Sequence, residues 1–241
     1  MALTYMGLVN NVLTRLNEVN LTSGTFASES GFHAAVREAV NAAIFQINHQ
    51  QFEWPFNYTS GSQTCTPGTY EYSLPSNCKT VDWETFYVNQ DLSLARPTQA
   101  RWLSFMDYPH FRQTKQIDNI NGGESARNVP QYVTRTQNTK FAVAPVPDQA
   151  YVIKFDYFKL PDKLVNYNDT TSIPDMYEEV ILNGAMFYAE QFRQNPEVAA
   201  AYHQLFNKGI DDMRIILVPM APYARDTRFD GGASMSRSGF Y

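Results

Sequence analysis

Histidine is the residue type best suited to metal binding or to acid–base catalysis near neutral pH, and the chain contains 4 of them. They are spread along the sequence as His33, His49, His110 and His203. None lies in an H-E-x-x-H motif or another short spacing that would place two ligands on one helix face. Each is interpreted as a surface or hydrogen-bonded core residue, and the sequence predicts no catalytic residue, no metal ligand and no cofactor.

Other catalytic signatures are also missing from the sequence. It contains no G-x-S-x-G, G-x-x-x-x-G-K-[ST] or G-x-G-x-x-G motif, and Gly122-Gly123 is interpreted as part of a flexible loop. Asp211 and Asp212 are adjacent, so they point to different sides of a helix and cannot face each other as a carboxylate pair. Asp156 and Glu84 could supply the two carboxylates of a glycosidase only if the fold brought them together, and nothing in the sequence does so.

Cysteine and tryptophan add little chemistry. Cys65 and Cys78 are too few for a metal site, and their spacing would suit neighbouring strands of a hairpin. The N-terminal MALTYMGLVN lacks the basic segment and apolar core of a signal peptide, so reduced thiols are expected. Large aromatic residues are usually buried, so the tryptophans are interpreted as core anchors rather than a sugar platform: Trp54, Trp83 and Trp102.

The composition is that of a globular protein with an acidic balance. The chain has 241 residues, of which 44% are hydrophobic, and a formal net charge of -5. An acidic chain without a basic stripe is not built to grip nucleic acid. No apolar run approaches the roughly 18 residues of a membrane-spanning helix, so no membrane span is expected.

Helical patterns occur at the two ends of the chain. Thr4 is predicted to cap a helix over 5–17, and a second helix is predicted over 32–51. Residues 172–217 read as two consecutive helices, with Ser172 as the first N-cap and Asn195-Pro196 between them. The second of these carries a broad apolar stripe: Val198, Ala201, Tyr202, Leu205, Phe206, Ile210, Met213 and Leu217.

Short strands are predicted between the helices. Residues 56–66 and 69–74 would form a hairpin around Pro67-Gly68, and 79–88 and 92–95 would form a second one. Thr98 is predicted to cap a short helix over 99–108 with Trp102, Leu103, Phe105 and Met106 on its buried side, and 114–129 reads as a long loop. The remaining strands are predicted over 131–136, 140–144 and 151–160.

Runs of helices separate from a run of strands indicate an α+β fold. The expected architecture is an antiparallel helical bundle from 1–54 and 171–218, with 55–170 inserted as a β-rich domain. Residues 219–241 are predicted to be an extended C-terminal arm, because they are rich in Gly, Ser and Arg and have no apolar period. Its aromatic and basic residues would anchor it to another surface: Tyr223, Arg225, Arg228, Phe229, Arg237, Phe240 and Tyr241.

Four segments together resemble a known family: LTYMGLVNNVLTRLNE, PVPDQAYVIKFDYFKLPDKL, SIPDMYEEVILNGAMFYAEQF and AYHQLFNKGIDDMR. In this order they are similar to the head-to-tail adaptors of short-tailed bacteriophages, of the tail tubular protein A type. The resemblance implies a structural virion protein of the tail or neck, assembled in the host cytoplasm. About twelve copies would form a ring between the capsid portal and the tail nozzle, with tail fibres outside.

Under this resemblance, double-stranded DNA would pass through the ring without specific binding, and the C-terminal arm would bind the portal. An acidic lumen would repel phosphate during ejection. Subunit contacts are expected at aromatic residues away from the main helical stripes: Phe45, Tyr177 and Phe187. The alternatives are a carbohydrate-binding or lytic tail component that uses the aromatic β lobe, and another virion protein such as a stopper or minor structural component.

Overall fold

The computed structural model describes residues 3–51, 53–117, 122–137 and 139–218. Helices lie at both ends of this range, and two β-sheets lie between them. This is the mixed α+β class that the order of elements predicted. The helices are α1 Tyr5–Arg15, α2 Phe32–Gln50, α3 Tyr108–Phe111, α4 Glu178–Phe192 and α5 Pro196–Leu217.

The long helices begin where local chemistry favours a helix start. The Thr4 hydroxyl accepts a hydrogen bond from the Gly7 backbone N–H at 3.2 Å, which caps α1 as predicted. Pro196 occupies the first turn of α5, where its missing N–H has no helical partner to lose. Ends of helices α1 and α2 fall within two residues of the predicted ones because the apolar period is strong there.

Ser172 does not cap a helix, which corrects the prediction. Its hydroxyl donates to Asn57 Oδ1 at 2.8 Å, and a 3-10 turn at Asp175–Tyr177 precedes α4. The hydroxyl that was predicted to cap the helix therefore makes a tertiary hydrogen bond instead. Negative charge still lies at the start of α4. Glu178 and Glu179 occupy the first turn, where their carboxylates interact favourably with the positive end of the helix dipole.

Helices α1, α2, α4 and α5 share one apolar core, here called the helical core. Its buried side chains come from all four helices and include Leu8, Val12, Val40, Ile47, Ile181, Ala185, Phe206 and Ile210. Because each helix is apolar on the side that faces the others, burial of this surface stabilises the packing. The two ends of the described chain therefore meet in space.

The sheets contain eight strands: β1 Tyr58–Thr64, β2 Glu71–Ser73, β3 Cys78–Val88, β4 Arg101–Trp102, β5 Ser104–Phe105, β6 Tyr132–Arg135, β7 Lys140–Ala144 and β8 Val152–Lys159. The first sheet has the order β1-β8-β3-β4 and the second β2-β7-β6-β5. Neighbouring strands are antiparallel except β5 and β6, which are parallel. Strands β6, β7 and β8 lie where the sequence predicted them.

The two sheets enclose a second, aromatic core. Phe86 and Phe155 of the first sheet stack with ring centroids 4.8 Å apart, and Phe141 of the second sheet meets Phe86 edge to face at 5.3 Å. Such offset and edge-to-face pairs are favourable beyond their buried area. Along β8 the buried residues alternate with half-buried ones, as the period-2 pattern predicted.

Both predicted hairpins before residue 96 are wrong. β1 pairs with β8 and β2 pairs with β7, so Pro67-Gly68 lies in a connection between two different sheets. Residues 92–95 form no strand, and β3 pairs instead with β8 and the two-residue β4. Local turn chemistry identified the reversals correctly but not the partner strands, which are set by the distant aromatic core.

The short helix predicted over 99–108 is also wrong. This segment forms β4 and β5, and Leu103 between them is buried while Trp102 and Phe105 are exposed. The chain crosses here from the first sheet to the second: the Leu103 N–H donates to Phe86 O, and the Ser104 N–H donates to Gln131 O. Part of the predicted loop at 114–129 is helical, with a π-helical turn at Arg112–Gln116 and a 3-10 turn at Gly123–Ala126.

Buried polar side chains join the helical core to the sheets. Asn57 Nδ2 donates to Asn48 Oδ1 at 2.6 Å, which ties the entrance of β1 to the last turn of α2. Trp54 is buried and its indole N–H donates to Ile47 O at 2.8 Å, so it satisfies a carbonyl that the helix end would leave unpaired. Lys79 of β3 donates to the Asn48 and Gln51 carbonyls at the same helix end.

Asn41 is the buried hub of the helical side. Its amide nitrogen donates to Tyr5 Oη at 2.8 Å and to Leu164 O at 3.1 Å, and its oxygen accepts from the Leu164 N–H at 3.0 Å. One side chain thus links α1, α2 and the connection from β8 to α4. All three bonds run between groups that are shielded from water, so their loss cannot be compensated by solvent.

Asn41→Leu is expected to lower the free energy of unfolding by about 3 kcal/mol, because both backbone groups of Leu164 lose their partner in a buried site. Urea denaturation would measure the shift in midpoint. Asn207→Ala is the matched control, since the side-chain hydrogen bond of Asn207 in the described part of the chain is to His203 of the same helix. An Asn41→Leu protein as stable as wild type would show that the hub contributes no net stability.

Arg15 of α1 and Glu179 of α4 form an ion pair with two bonds, at 2.8 and 2.6 Å. The hydrogen bonds from Arg15 lower the pKa of Glu179. A carboxylate with a lowered folded-state pKa stabilises the fold above its unfolded pKa of about 4.3, and this contribution is lost as pH falls through the folded pKa.

Glu179→Gln is expected to cost less than about 1 kcal/mol at pH 7, because both side chains are partly exposed. The difference from wild type should shrink as pH drops below about 4.3, the unfolded carboxyl pKa. Urea midpoints at pH 7 and pH 3 measure both values, with Glu84→Gln on β3 as the exposed carboxylate control. A difference that grows on acidification would contradict the assignment.

Candidate interaction surfaces

The structure does not bring the histidines together. His33 bonds to Val19 O, His49 packs on Phe45, and His203 packs on Phe187 and bonds to Asn207. Within the residues that the structure describes, no cluster of three or more His, Cys, Asp or Glu could hold a metal ion. His33, His49 and His203 thus take part in packing or hydrogen bonds at separate places in the fold.

Asp156 does not pair with Glu84 as a glycosidase would require. Its strand neighbour is Asp82, and the Tyr58 hydroxyl lies 3.2 Å from Asp156 Oδ2 and 3.3 Å from Asp82 Oδ2. Burial and the two carboxylates raise the pKa of Tyr58 to about 12. The phenol therefore stays protonated near neutral pH and donates a hydrogen bond between two like charges on the solvent face of the first sheet.

The tryptophans divide between core and surface. Trp54 is buried at the helix–sheet junction, and Trp83 is half-buried and stacks on Phe86 at 5.4 Å. Trp102 is 66% exposed and contacts the Tyr87 ring at 56°, so the prediction that it anchors the core is wrong. Edge strand β4 is too short to bury it.

Both cysteines are free thiols in the structure. Cys65 is buried in the aromatic core, and this burial raises its pKa to about 11. Cys78 is half-buried at the start of β3, where burial also raises its pKa. Thiolates are the reactive form, so neither environment activates the sulfur as a nucleophile.

Phe45 lies on a cleft between α2 and the sheets, here called the α2 cleft. Its ring is 56% exposed, and the cleft has a volume of about 600 Å³. The opposite wall comes from the start of β3 and the chain after β8, including Asn77, Cys78 and Pro161. The exposed aromatic ring makes this cleft a suitable place for an apolar contact.

Phe187 and Tyr177 differ in accessibility. Phe187 is half-buried and lines a second groove between α4 and the start of α5, beside His203 and Pro196. Tyr177 is only 7% exposed and belongs to the helical core, so it offers little surface to a neighbouring subunit. Its hydroxyl has no hydrogen-bond partner among the described residues.

One exposed apolar surface of α5 was not separated from the core by the sequence pattern. In the broad stripe predicted on α5, Phe206, Ile210 and Met213 face inward, while Val198 and Leu205 are 39% and 51% exposed. With Ala201 and Tyr202 these two line a shallow groove, here called the α5 outer face. A stripe that is too wide for one interface is the signal that could have revealed it.

The residues proposed to anchor the C-terminal arm, from Tyr223 to Tyr241, lie outside the described residues. The described chain ends at Val218, where α5 runs alongside the end of α2: Arg214 Nη2 lies 3.4 Å from Gln50 O. In the described part of the chain, no helix combines the length and apolar character needed to cross a bilayer.

Comparison with known proteins gives a family over nearly the whole chain. Residues 3–232 match the family described as SU10 adaptor protein. A search of curated proteins finds no match. The chain therefore belongs to the SU10 adaptor protein family, and it is a structural phage adaptor of the virion that interacts with other virion proteins.

Proposed function

We propose that this protein is a head-to-tail adaptor of the tail tubular protein A type. About twelve copies would form a ring that joins the capsid portal to the tail nozzle, with tail fibres outside, as in closed rings made by heterologous contacts. The observation that carries the proposal is the pair of separate apolar surfaces, the α2 cleft with Phe45 and the α5 outer face with Leu205. A heterologous contact needs two different surfaces on each copy, and these two belong to different helices.

The division of the chain supports the same role. The helical core, made from residues on both sides of the sheets in sequence, would act as a bundle-like scaffold for ring formation. The β-rich region over 55–170 would be a separate domain presented to the nozzle or fibres, and the arm from 219 would bind the portal. Each of these parts offers binding surface, as an adaptor between two larger assemblies requires.

The charge of the chain suits a DNA conduit. A net charge of -5 gives no general attraction for phosphate, so DNA passing through the ring would not be held by the wall. Binding to DNA is therefore not the expected activity. DNA would move through the ring without base-specific contacts.

Exposed Trp102 beside Tyr87 is the one feature that favours the carbohydrate-binding alternative. The two rings are tilted by 56° rather than coplanar, so they do not make a flat platform for a sugar ring. An exposed tryptophan at a sheet edge is also a common centre of protein–protein contacts. The adaptor proposal uses it in that way.

The test is the mass of the purified protein in solution, alone and with the portal protein of the same phage. Light scattering and negative-stain electron microscopy should show a closed ring, either alone or on the portal. A β-sheet virion protein of similar charge serves as the control for nonspecific binding. A chain that stays monomeric and does not bind the portal at high micromolar concentration would overturn the proposal.

A further inference from the structure

Helix α2 carries an accessible stripe of side chains along the α2 cleft. Its members are spaced four, three and four residues apart, which places them on one side of the helix: Glu38, Ala42, Phe45 and His49. The Phe45 and His49 rings are in contact, with centroids 4.1 Å apart, and both side chains are exposed. The stripe therefore has a carboxylate near one end and an aromatic projection near the other.

The α5 outer face has the opposite relief. Its groove has a volume of about 410 Å³ and is lined by Glu197, Val198, Ala201, Tyr202 and Leu205. Ala201 has the smallest of these side chains, so a depression lies over it. Lys208 follows Leu205 by about one turn and is exposed, and within the described residues it forms no ion pair. The groove thus lies between an acidic and a basic residue.

The groove does not face α2 of its own molecule. The other side of α5 is buried in the helical core through Phe206 and Ile210. Gly184 of α4 lies between Phe206 of α5 and Ala43 of α2, so both helices turn their packed sides towards α4. A helix that covers the α5 outer face must therefore come from another molecule.

We propose that α5 of one copy packs antiparallel against α2 of the next copy, with Phe45 seated over Ala201. This inference rests on the proposed function, because it names the surfaces through which neighbouring ring subunits meet. The contact joins two different surfaces, so each copy can bind one neighbour on each side, as a closed ring requires.

Side-chain sizes favour this arrangement. Large side chains of one helix pack best where the facing helix has small ones. Phe45 is opposite Ala201, and Ala42, one turn before Phe45, is opposite Leu205, one turn after Ala201. A large side chain therefore meets a small one at both central positions, and Leu205 enters the α2 cleft beside Ala42.

Charge complementarity fixes the antiparallel orientation. Glu38 lies two turns before the aromatic projection and Lys208 two turns after the depression, so their opposite charges meet. At the other end, the His49 ring can donate a hydrogen bond to Glu197. A parallel arrangement would instead bring Glu38 towards the end of α5 that carries Glu197, where like charges repel. In its own copy Glu38 accepts from Lys163 at 2.7 Å, so two ammonium groups would share this carboxylate.

The test is disulfide trapping between two full-length chains, one with Ala42→Cys and the other with Leu205→Cys. Both also carry Cys78→Ser, because Cys78 lines the α2 cleft. Mild oxidation of the mixture should give a mixed dimer, since the two Cβ atoms would face each other across the contact. The matched control replaces Ala42→Cys by Val19→Cys, an exposed position in the loop after α1. Peptide masses identify the bond and exclude those made by Cys65.

The inference predicts a mixed-dimer yield several-fold above the control, and little cross-linking of either chain alone. Adding Lys208→Glu to the Leu205→Cys chain should lower the yield about threefold, as for an exposed ion pair, and adding Glu38→Lys to its partner should restore it. A yield at the control level, equal cross-linking of either chain alone, or no restoration would overturn the contact.

The mass of the wild-type chain with the portal protein is measured separately. Wild-type rings together with a mixed-dimer yield at the control level would overturn this contact and keep the adaptor proposal. A high mixed-dimer yield from a chain that forms no ring, alone or on the portal, would keep the contact and overturn the adaptor proposal.

Discussion

Leu205→Glu is expected to leave the protein folded and to prevent ring assembly. Leu205 is 51% exposed on the α5 outer face, so a polar side chain there has access to water in the free subunit. Surface substitutions of this kind change the free energy of unfolding by less than about 0.5 kcal/mol. The circular dichroism spectrum and urea midpoint should therefore match those of the wild type.

Assembly is affected more strongly, because a carboxylate buried in an apolar contact loses its hydration. If Leu205 is central to the subunit contact, each interface should weaken by at least about 2 kcal/mol, which is about thirtyfold in the dissociation constant. A ring multiplies this loss over all of its interfaces. Light scattering with the portal protein would then detect subunits or fragments instead of rings.

Val19→Glu is the matched control for Leu205→Glu. Val19 is also an exposed apolar residue, but it lies in the loop after α1 and does not line the groove of the α5 outer face. It should form rings as the wild type does. Rings of normal mass from Leu205→Glu would exclude the α5 outer face as a subunit contact, and Phe45→Glu would then test the α2 cleft as the alternative surface.

The helices could be predicted because their information is local. The apolar period of α1 and α2, the Thr4 cap and the Asn195-Pro196 boundary all act within one or two helical turns. Strand β8 was equally clear, since Ile153, Phe155 and Tyr157 alternate with polar residues. Its position in the centre of the first sheet was not predictable from that pattern.

The prediction of strand pairing failed for a physical reason. β1 and β2 are neighbours in sequence, yet each pairs with a strand more than sixty residues away, and a local turn signal cannot specify so distant a partner. Segment 101–105 contains Trp102, Leu103 and Phe105, which suit either a helix or a strand. Only the contact of Leu103 with the core decides for strands, and that contact depends on the finished fold.

The subunit contacts expected at Phe45, Tyr177 and Phe187 stay predictions, but the structure shows which of these side chains are accessible. Phe45 and Phe187 are accessible, as a contact residue must be, and Tyr177 is buried because the 3-10 turn before α4 directs it into the helical core. The α5 outer face was hidden within a stripe that the sequence treated as one core-facing side. Only the packing of α5 in the helical core shows which residues of that stripe remain exposed.

Gly184→Val is expected to lower the free energy of unfolding by about 3 kcal/mol, because Gly184 of α4 packs closely against both α2 and α5. A Cβ atom there would lie 2.6 Å from Phe206 Cε2 and 2.8 Å from Ala43 Cβ, both within the packed core. These distances are too short for any side chain, so the helices would have to separate. The two further methyl groups of valine would add to the displacement.

Gly184→Ala separates the steric effect from helix propensity. Alanine gains about 1 kcal/mol over glycine in a helix interior, which offsets part of the clash, so its net loss should be smaller than that of valine. A loss of 3 kcal/mol corresponds to a fall in melting temperature of about 6–12 °C for a chain of this size. Thermal unfolding followed by circular dichroism measures both variants.

Gln204→Val is the control for the effect of a β-branched residue in a helix. Gln204 is an exposed residue of α5, so a valine there is not forced into the packed core. Its loss should stay below about 1 kcal/mol, as propensity alone predicts. If Gly184→Val had the same melting temperature as the wild type, the helices could separate without a loss of folding free energy. The helical core would then be more deformable than its packing indicates, and it would be a poor scaffold for the ring that we propose.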